Sequence, residues 1–352
     1  MKCLRMSLAA VLAITTAAGA QSARPDATQP TTREKALQIY FIDVEGGQAT
    51  LFVGPDGESL LVDTGWPGFN GRDADRIAAA CKAAGVTKID NVVITHYHID
   101  HVGGVPQLVA KIPVGRFIDH GVNREDEKDT VAAWNAYQET LKHGHAEHVV
   151  VKPGDVLPLK SFRAVVVSAD GQVIDKPLAG AGDRNAACDA SPTKPLENSE
   201  NDRSVGMMIT FGNLRILDLG DLTWGAERPL MCPIDKLGKV DLYIASHHGL
   251  DRSGSPALIQ AIAPRLAIMD NGGHKGGAPT TFEAIEGSAR VKDLWQLHTA
   301  EASDAKHNPA ESRIANLPGP DAGNYLKVTA RENGTISVTN SRTSETVEYS
   351  AK

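Results

Sequence analysis

The sequence is short of the features that most readily announce a function. Four cysteines occur in 352 residues and no pair has the spacing of a zinc finger, so thiolate metal sites are not suggested. No Gly-x-Ser-x-Gly is present, which removes the exposed serine nucleophile of that motif. Beyond the first twenty residues no apolar run approaches membrane-spanning length, and no internal repeat of fixed period is seen. Positive charge is also in deficit: 36 Lys and Arg stand against 43 Asp and Glu, a formal net charge of −7. An acidic chain is a poor non-specific binder of long polyanions, which argues against nucleic acid as the partner. What remains is ordinary for a globular protein, with 41% hydrophobic and 22% charged residues, and long enough to bury a full core.

The N-terminus carries Lys2 and Arg5, then an apolar stretch over residues 6–18, then Ala18-Gly19-Ala20. This is the pattern of a secretory signal peptide, residues 1–20, with cleavage after Ala20 and a periplasmic or secreted destination. Losing Lys2 and Arg5 takes the net charge from −7 to −9. Residues 21–35 are polar and rich in Pro and Thr, a flexible leader, and residues 36–352 are left as the folded domain. Cys3 departs with the signal and Cys81 sits in a helical pattern as a core residue. Cys188 and Cys232 could pair in an oxidising compartment.

Along the domain, apolar runs at 37–44, 49–53 and 59–62 read as strands, the last two joined across Asp56-Gly57. A helix is expected at 72–84, a strand at 92–95, a helix at 104–111, a short strand at 116–119 and an exposed helix at 126–142. Strands follow at 149–151 and 163–167. Residues 170–200, rich in Gly, Ala, Asp, Asn and Pro without periodicity, read as a surface insertion. A hairpin across Gly212-Asn213 leads to alternating strands and helices up to 297, and the tail at 325–349 reads as a hairpin about Asn333-Gly334. A meander followed twice by alternating strand and helix suggests two sheets with helices outside.

The chemistry concentrates in Thr95-His96-Tyr97-His98-Ile99-Asp100-His101, directly after the apolar run Val92-Val93-Ile94. Three imidazoles and a carboxylate so close together repel when the rings are protonated and lose solvation when they are neutral. A borderline cation such as Zn²⁺ resolves the conflict, because neutral His nitrogens and carboxylate oxygens are its natural ligands.

His96-x-His98-x-Asp100-His101 after a strand, followed by Gly103-Gly104, resembles the motif of the metallo-β-lactamase superfamily of metal-dependent hydrolases. The resemblance implies an α/β fold, an αβ/βα four-layer sandwich of two mixed β-sheets with helices on the outer faces. It also implies two metal ions, Zn²⁺ with Mn²⁺ or iron as alternatives, His96 and His98 serving one and Asp100 and His101 the other. Asp221, in Leu219-Gly220-Asp221, looks like the family's bridging carboxylate, and Asp63 like the carboxylate that orients a ligand from behind. His247-His248-Gly249 would supply the last ligand of the second metal, with His247 taken ahead of His248 and the other ring facing substrate. The usual third His of the first metal has no matching motif. His120 is one candidate; His143, His145 and His148 follow a polar helix and are expected to be solvated. Water, or polar groups of Asn201 and Ser204, could complete that site instead.

Within the superfamily, Phe41-Ile42-Asp43-Val44-Glu45-Gly46-Gly47-Gln48, Asn201-Asp202-Arg203-Ser204 and Asn271-Gly272-Gly273-His274 are similar to motifs of the hydrolase domain of DNA-uptake (competence) proteins. This implies hydrolysis of a phosphodiester in a small-molecule or cell-envelope substrate. Asp100 would then orient or deprotonate the attacking water, and His248 or His274 would donate hydrogen bonds to the oxyanion. Asp43 and Gln48 could equally only shape a turn. The alternatives are a lactone or β-lactam hydrolase of the same fold, or an envelope protein that binds metal without catalysis.

Overall fold

The computed structural model describes residues 35–351. The expected signal peptide, and the leader up to residue 34, lie outside the described residues. In chain order the elements are β1 (Ala36–Phe41), β2 (Thr50–Val53), β3 (Ser59–Val62), α1 (Arg72–Ala84), β4 (Ile89–Val93), α2 (Ile99–Val102), α3 (Val105–Val109), β5 (Val114–Asp119), α4 (Lys128–His143), β6 (Glu147–Val150), β7 (Arg163–Ala169) and β8 (Gln172–Val173). The second half continues with β9 (Gly206–Phe211), β10 (Leu214–Asp218), α5 (Trp224–Met231), β11 (Leu242–Ile244), α6 (Pro256–Ile262), β12 (Leu266–Met269), α7 (Pro279–Glu286), β13 (Asp293–His298), β14 (Ile314–Asn316), β15 (Leu326–Arg331), β16 (Ile336–Asn340) and β17 (Thr346–Tyr349).

The strands form two mixed sheets. One runs β17-β16-β15-β1-β2-β3-β4-β5-β6 and the other β14-β13-β12-β11-β10-β9-β7-β8. Side chains alternate across each strand, and both faces of both sheets are covered. Leu37, Ile39, Phe41, Leu60 and Val62 of the first sheet meet Met207, Ile209, Ile216, Leu242, Ile244 and Ile268 of the second in one buried cluster. The opposite residues of the first sheet, Tyr40, Leu51, Leu61 and Val92, pack on Ile77 and Cys81 of α1, Leu108 of α3 and Tyr137 of α4. Leu217, Tyr243 and Ala267 of the second sheet pack on Leu230, Leu258, Ile262 and Phe282 of α5, α6 and α7. The result is helix, sheet, sheet, helix, the four-layer sandwich expected.

Local sequence explains the helices. In α1, Ala74, Ile77, Ala80 and Cys81 form the buried stripe, Asp73 and Asp75 complement the positive end, and Gly85 closes the helix at φ 77°. In α4 the Glu127 side chain accepts from Asp129 N and Thr130 N, capping the first turn. The helix foreseen at 104–111 is present but shorter, α3 over Val105–Val109, and a separate short helix, α2, precedes it inside the histidine cluster, the two parted at Gly103-Gly104. Two expectations are corrected. The tail is three antiparallel strands rather than a hairpin, and β15 pairs with β1, so the end of the chain completes the first sheet. Segment 170–200 carries β8 and two 3₁₀ turns. It is bound to the α5 side by Leu178 N donating to Lys236 O and Gly182 N to Asp235 O, and by a Cys188–Cys232 disulfide.

Candidate metal centre

Strands β1, β3, β4, β10, β11, β12 and β13 end along the same edge, and the loops after them bring the polar residues together, as the carboxyl ends of parallel strands generally do. β3 delivers Asp63, β4 delivers Thr95 to His101, β10 delivers Asp218 to Asp221, β11 delivers Ser246 to Gly249 and β12 delivers Asp270 to Lys275. His96, Asp100, His101, Asp221, His247 and His248 are all buried there.

Asp221 is the centre. Its Oδ2 lies 3.3 Å from His101 Nε2, 3.6 Å from His248 Nε2, 3.3 Å from His247 Nε2 and 4.0 Å from His96 Nε2. On one side, Asp100 Oδ2 is 3.3 Å from both His101 Nε2 and His248 Nε2, and these two nitrogens are 3.2 Å apart. On the other side, His96 Nε2 faces His98 Nδ1 at 3.0 Å.

Hydrogen bonds behind the rings decide what those contacts are, since protons on imidazole are assigned from their partners. Thr95 Oγ1 donates to Asp63 Oδ2 at 2.6 Å, so it can only accept from His96 Nδ1 at 3.0 Å. His98 Nε2 donates to Glu125 Oε2 at 2.9 Å, and His101 Nδ1 to Asp63 Oδ2 at 2.7 Å. Ser253 Oγ donates to Asp221 O, leaving His247 Nδ1 to donate to Ser253 Oγ at 3.2 Å. His248 Nδ1 lies 3.3 Å from Asp270 Oδ1. His96, His98, His101 and His247 therefore spend their outer N–H on the protein and turn the other nitrogen inward, as His248 Nε2 is also turned, against other ring nitrogens and two carboxylates, while His248 Nδ1 makes no hydrogen bond. Asp221 Oδ1 is buried without a hydrogen-bond partner. An acceptor-only centre is stable only with positive charge inside it, so the donor set fits a cation.

The same demand for positive charge shows in the rings themselves, two of which hold a proton strongly. Burial opposes charge on His248, yet Asp221, Asp270 and Asp100 outweigh it and lift its pKa to about 10. His101 is raised in the same way by Asp221, Asp100 and Asp63 against its burial. Burial lowers His247 to about 4 and His96 well below the usual histidine range. Burial pushes Asp100 and Asp221 up, but the surrounding imidazoles, and Lys275 at Asp100, hold both well below the usual carboxylate range.

Several sequence-derived roles change with this geometry. Asp100 and His101 are joined by His248, where His247 had been expected. His247 Nε2 faces Asp221 Oδ2 and lies outside the group formed by Asp100, His101, Asp221 and His248. Two successive residues with positive φ, His247 at 57° and His248 at 55°, bring adjacent rings to the same oxygen, Asp221 Oδ2. Asp63 stands behind His101 and Thr95. His120 does not approach this ring cluster; its Nε2 pairs with Glu200 Oε2 at 3.0 Å. His143 pairs with Glu139 and His148 with Asp119. Ser204 Oγ accepts from Asp221 N at 3.2 Å and lies 3.5 Å from His96 Nδ1, behind the ring. His274 is turned out, 87% exposed, with Nδ1 3.2 Å from Glu301 Oε2. Its neighbour Lys275 points inward and its ammonium contacts Asp100 Oδ2.

Glu125, Asp270 and Lys275 had no role in the sequence reading. Glu125 also accepts from Glu200 N at 3.1 Å, which ties the insertion's end to His98. Gln48 Nε2 donates to Asp218 Oδ2 at 2.9 Å, a structural link between the halves. Asp43 accepts from His298 Nε2 at 2.7 Å and Arg76 Nη1 at 3.1 Å. With Glu45 this forms a second acidic group, but one whose buried carboxylate already has its cations.

A family model described as the metallo-beta-lactamase superfamily matches residues 42–265. ComE operon protein 3 of Bacillus subtilis (strain 168) is 25% identical over 193 residues, covering 54% of this chain and 21% of that protein. CmlA, a diiron β-hydroxylase from Streptomyces venezuelae, aligns with a TM-score of 0.36 at 17% identity, over 75% of this chain and 48% of that one. A metallo-beta-lactamase of Cronobacter sakazakii aligns with a TM-score of 0.33 at 14% identity, over 51% and 60%. The chain thus spans about a fifth of the Bacillus protein. Among the described residues, no helix is long and apolar enough to cross a membrane.

Proposed function

The chain belongs to the metallo-beta-lactamase superfamily, and from that premise we propose that it is an exported dinuclear metal-dependent hydrolase acting on a phosphodiester. The observation that carries the reading is the convergence of four imidazole nitrogens on Asp221 Oδ2, with the His96, His101 and His247 rings fixed by outer hydrogen bonds. We assign His96 Nε2, His98 Nδ1, His247 Nε2 and Asp221 to one metal ion, and Asp100, His101, His248 and Asp221 to the other. His247 thereby takes the place for which the sequence offered no third histidine. Zinc is the ion this nitrogen-rich, thiolate-free set favours.

When bound, such ions supply Lewis acidity that polarises the scissile group and acidifies water. The chain's own residues do the rest. Asp63, Glu125 and Ser253 hold His101, His98 and His247 in the tautomers that face inward, as partners behind metal ligands do, and Asp270 Oδ1 stands 3.3 Å behind His248 Nδ1. Asp100, whose Oδ2 faces His101, His248 and Lys275, has Oδ1 left to take the proton of the attacking water. His274, turned to Glu301, is left out of the assignment. Export rests on Lys2, Arg5 and the apolar run to Ala18. The phosphodiester rests on the motifs around Asp43, Asn201 and Asn271.

The test is metal content and turnover of bis-p-nitrophenyl phosphate and a chromogenic cephalosporin, for wild type and Asp221→Ala. Near two metals per chain with phosphodiester cleavage, both lost in the variant, is the expected result. Cleavage of the cephalosporin alone would reverse the substrate assignment, and bound metal without either activity would favour a binding protein.

A further inference from the structure

The loop after β12 is built to hold one lysine in place. Gly272 N donates to Lys275 O at 2.8 Å, Gly277 N to His248 O at 3.0 Å, and Asn271 Nδ2 to His298 O at 2.8 Å. At Gly276, φ is 89° and a Cβ would stand 2.0 Å from His248 O, so no side chain is admitted where the loop passes the cluster. Held this way, Lys275 reaches Asp100 Oδ2, the oxygen that also faces His101 and His248, with its ammonium 5.1 Å from the centre of the Trp66 ring. The Lys275 side chain is 31% exposed and that of Asp100 only 7%. The ammonium therefore stands between the buried cluster and solvent.

A second cation, Arg252, approaches from the His247 side, but two of its nitrogens are bound to Glu197 and its charge is satisfied there. Lys275 differs. Its carboxylate partner is the one assigned to a metal ion. Once Asp100 gives its electron density to that ion, the ammonium is left with unspent charge at the entrance.

We propose that Lys275 binds a negatively charged group of the substrate beside the bond that is cleaved. This rests on the hydrolase reading above and narrows it to substrates with anionic oxygens at the reacting centre, phosphoryl or carboxylate. A compact ammonium with three donors suits such oxygens.

The experiment uses zinc-loaded wild type, K275M and K275R, with three readouts: metal per chain, calorimetric affinity for inorganic phosphate, and kcat and KM for bis-p-nitrophenyl phosphate. K275M should keep its metal and bind phosphate about tenfold or more weakly, the loss expected for one charge-assisted hydrogen bond. Its KM should rise, and K275R should recover most of both. Phosphate affinity equal to wild type in a metal-replete K275M would overturn the proposal. So would loss of metal from K275M, which would make Lys275 a support for Asp100. If wild type binds phosphate through Lys275 yet cleaves no diester, the phosphodiester assignment falls and the anion site stands.

Discussion

Removing Asp221 tests the centre most directly, because this is the residue whose oxygen approaches ring nitrogens on both sides, at 3.3 Å from His101 and 3.3 Å from His247. Its neighbours cannot take over: Asp63 is spent on Thr95 and His101, and Asp100 lies on one side only. Asp221→Ala should therefore empty both sites together. The size of the effect follows from linkage. At free metal one hundred times above Kd, each site adds about 2.7 kcal/mol to stability, so two sites add about 5 kcal/mol. For a domain of this length that is a rise in Tm of about 10 °C. The assay is thermal unfolding with saturating zinc and with excess chelator. Wild type should show the shift and Asp221→Ala almost none. A variant that keeps both the shift and two metals per chain would refute the central role of Asp221, and with it the division of the histidines into two sets.

Three further outcomes are expected. Glu125→Ala should weaken only the His96–His98 half, and Asp63→Ala chiefly the His101 half, each by about 10- to 100-fold in metal affinity, read by competition with a chromophoric chelator. The same loss at both sites in both variants would contradict the assignment of partners. His298→Gln should cost stability in a pH-dependent way. His298 is raised by Asp43 against its burial, so its contribution is whole below 6.5 and fades as pH climbs through the raised value. Asp43, which burial raises but His298 and Arg76 lower further, contributes above 3.8 and fades as pH falls through its depressed value. Urea unfolding with chelator present should thus show the largest gap between wild type and variant at pH 4 to 6.5. Finally, Cys188 and Cys232 are bonded 44 residues apart, so replacing both with Ser should cost up to about 4 kcal/mol in denaturant unfolding. No difference between oxidised and reduced protein would refute that.

The fold was largely readable because its cues are local and repeated. Apolar runs bounded by Asp56-Gly57, Gly85 and Gly212-Asn213 mark strands and helix ends through turn chemistry that needs no distant partner. The ligand motif after β4 was readable for the same reason, four polar groups in six residues. What stayed hidden depends on contacts across the chain. Glu125 reaches His98 from a polar loop with no periodicity, and Lys275 reaches Asp100 across 175 residues, with only its place beside His274 as a signal. The choice between His247 and His248 was closed to sequence because it turns on two consecutive left-handed backbone conformations. Nothing in Ser-His-His-Gly dictates these apart from the Gly that follows.

That pair of conformations has a mechanical consequence. Two non-glycine residues in succession hold positive φ, each at a cost of about 1 kcal/mol or more. The turn is kept by neighbours such as Gly220 O, which accepts from His247 N at 3.1 Å. One hinge thus sets both rings, and neither can be placed without the other. A change that releases the turn would therefore misplace both rings at once, whereas a change behind one ring acts on that ring's position.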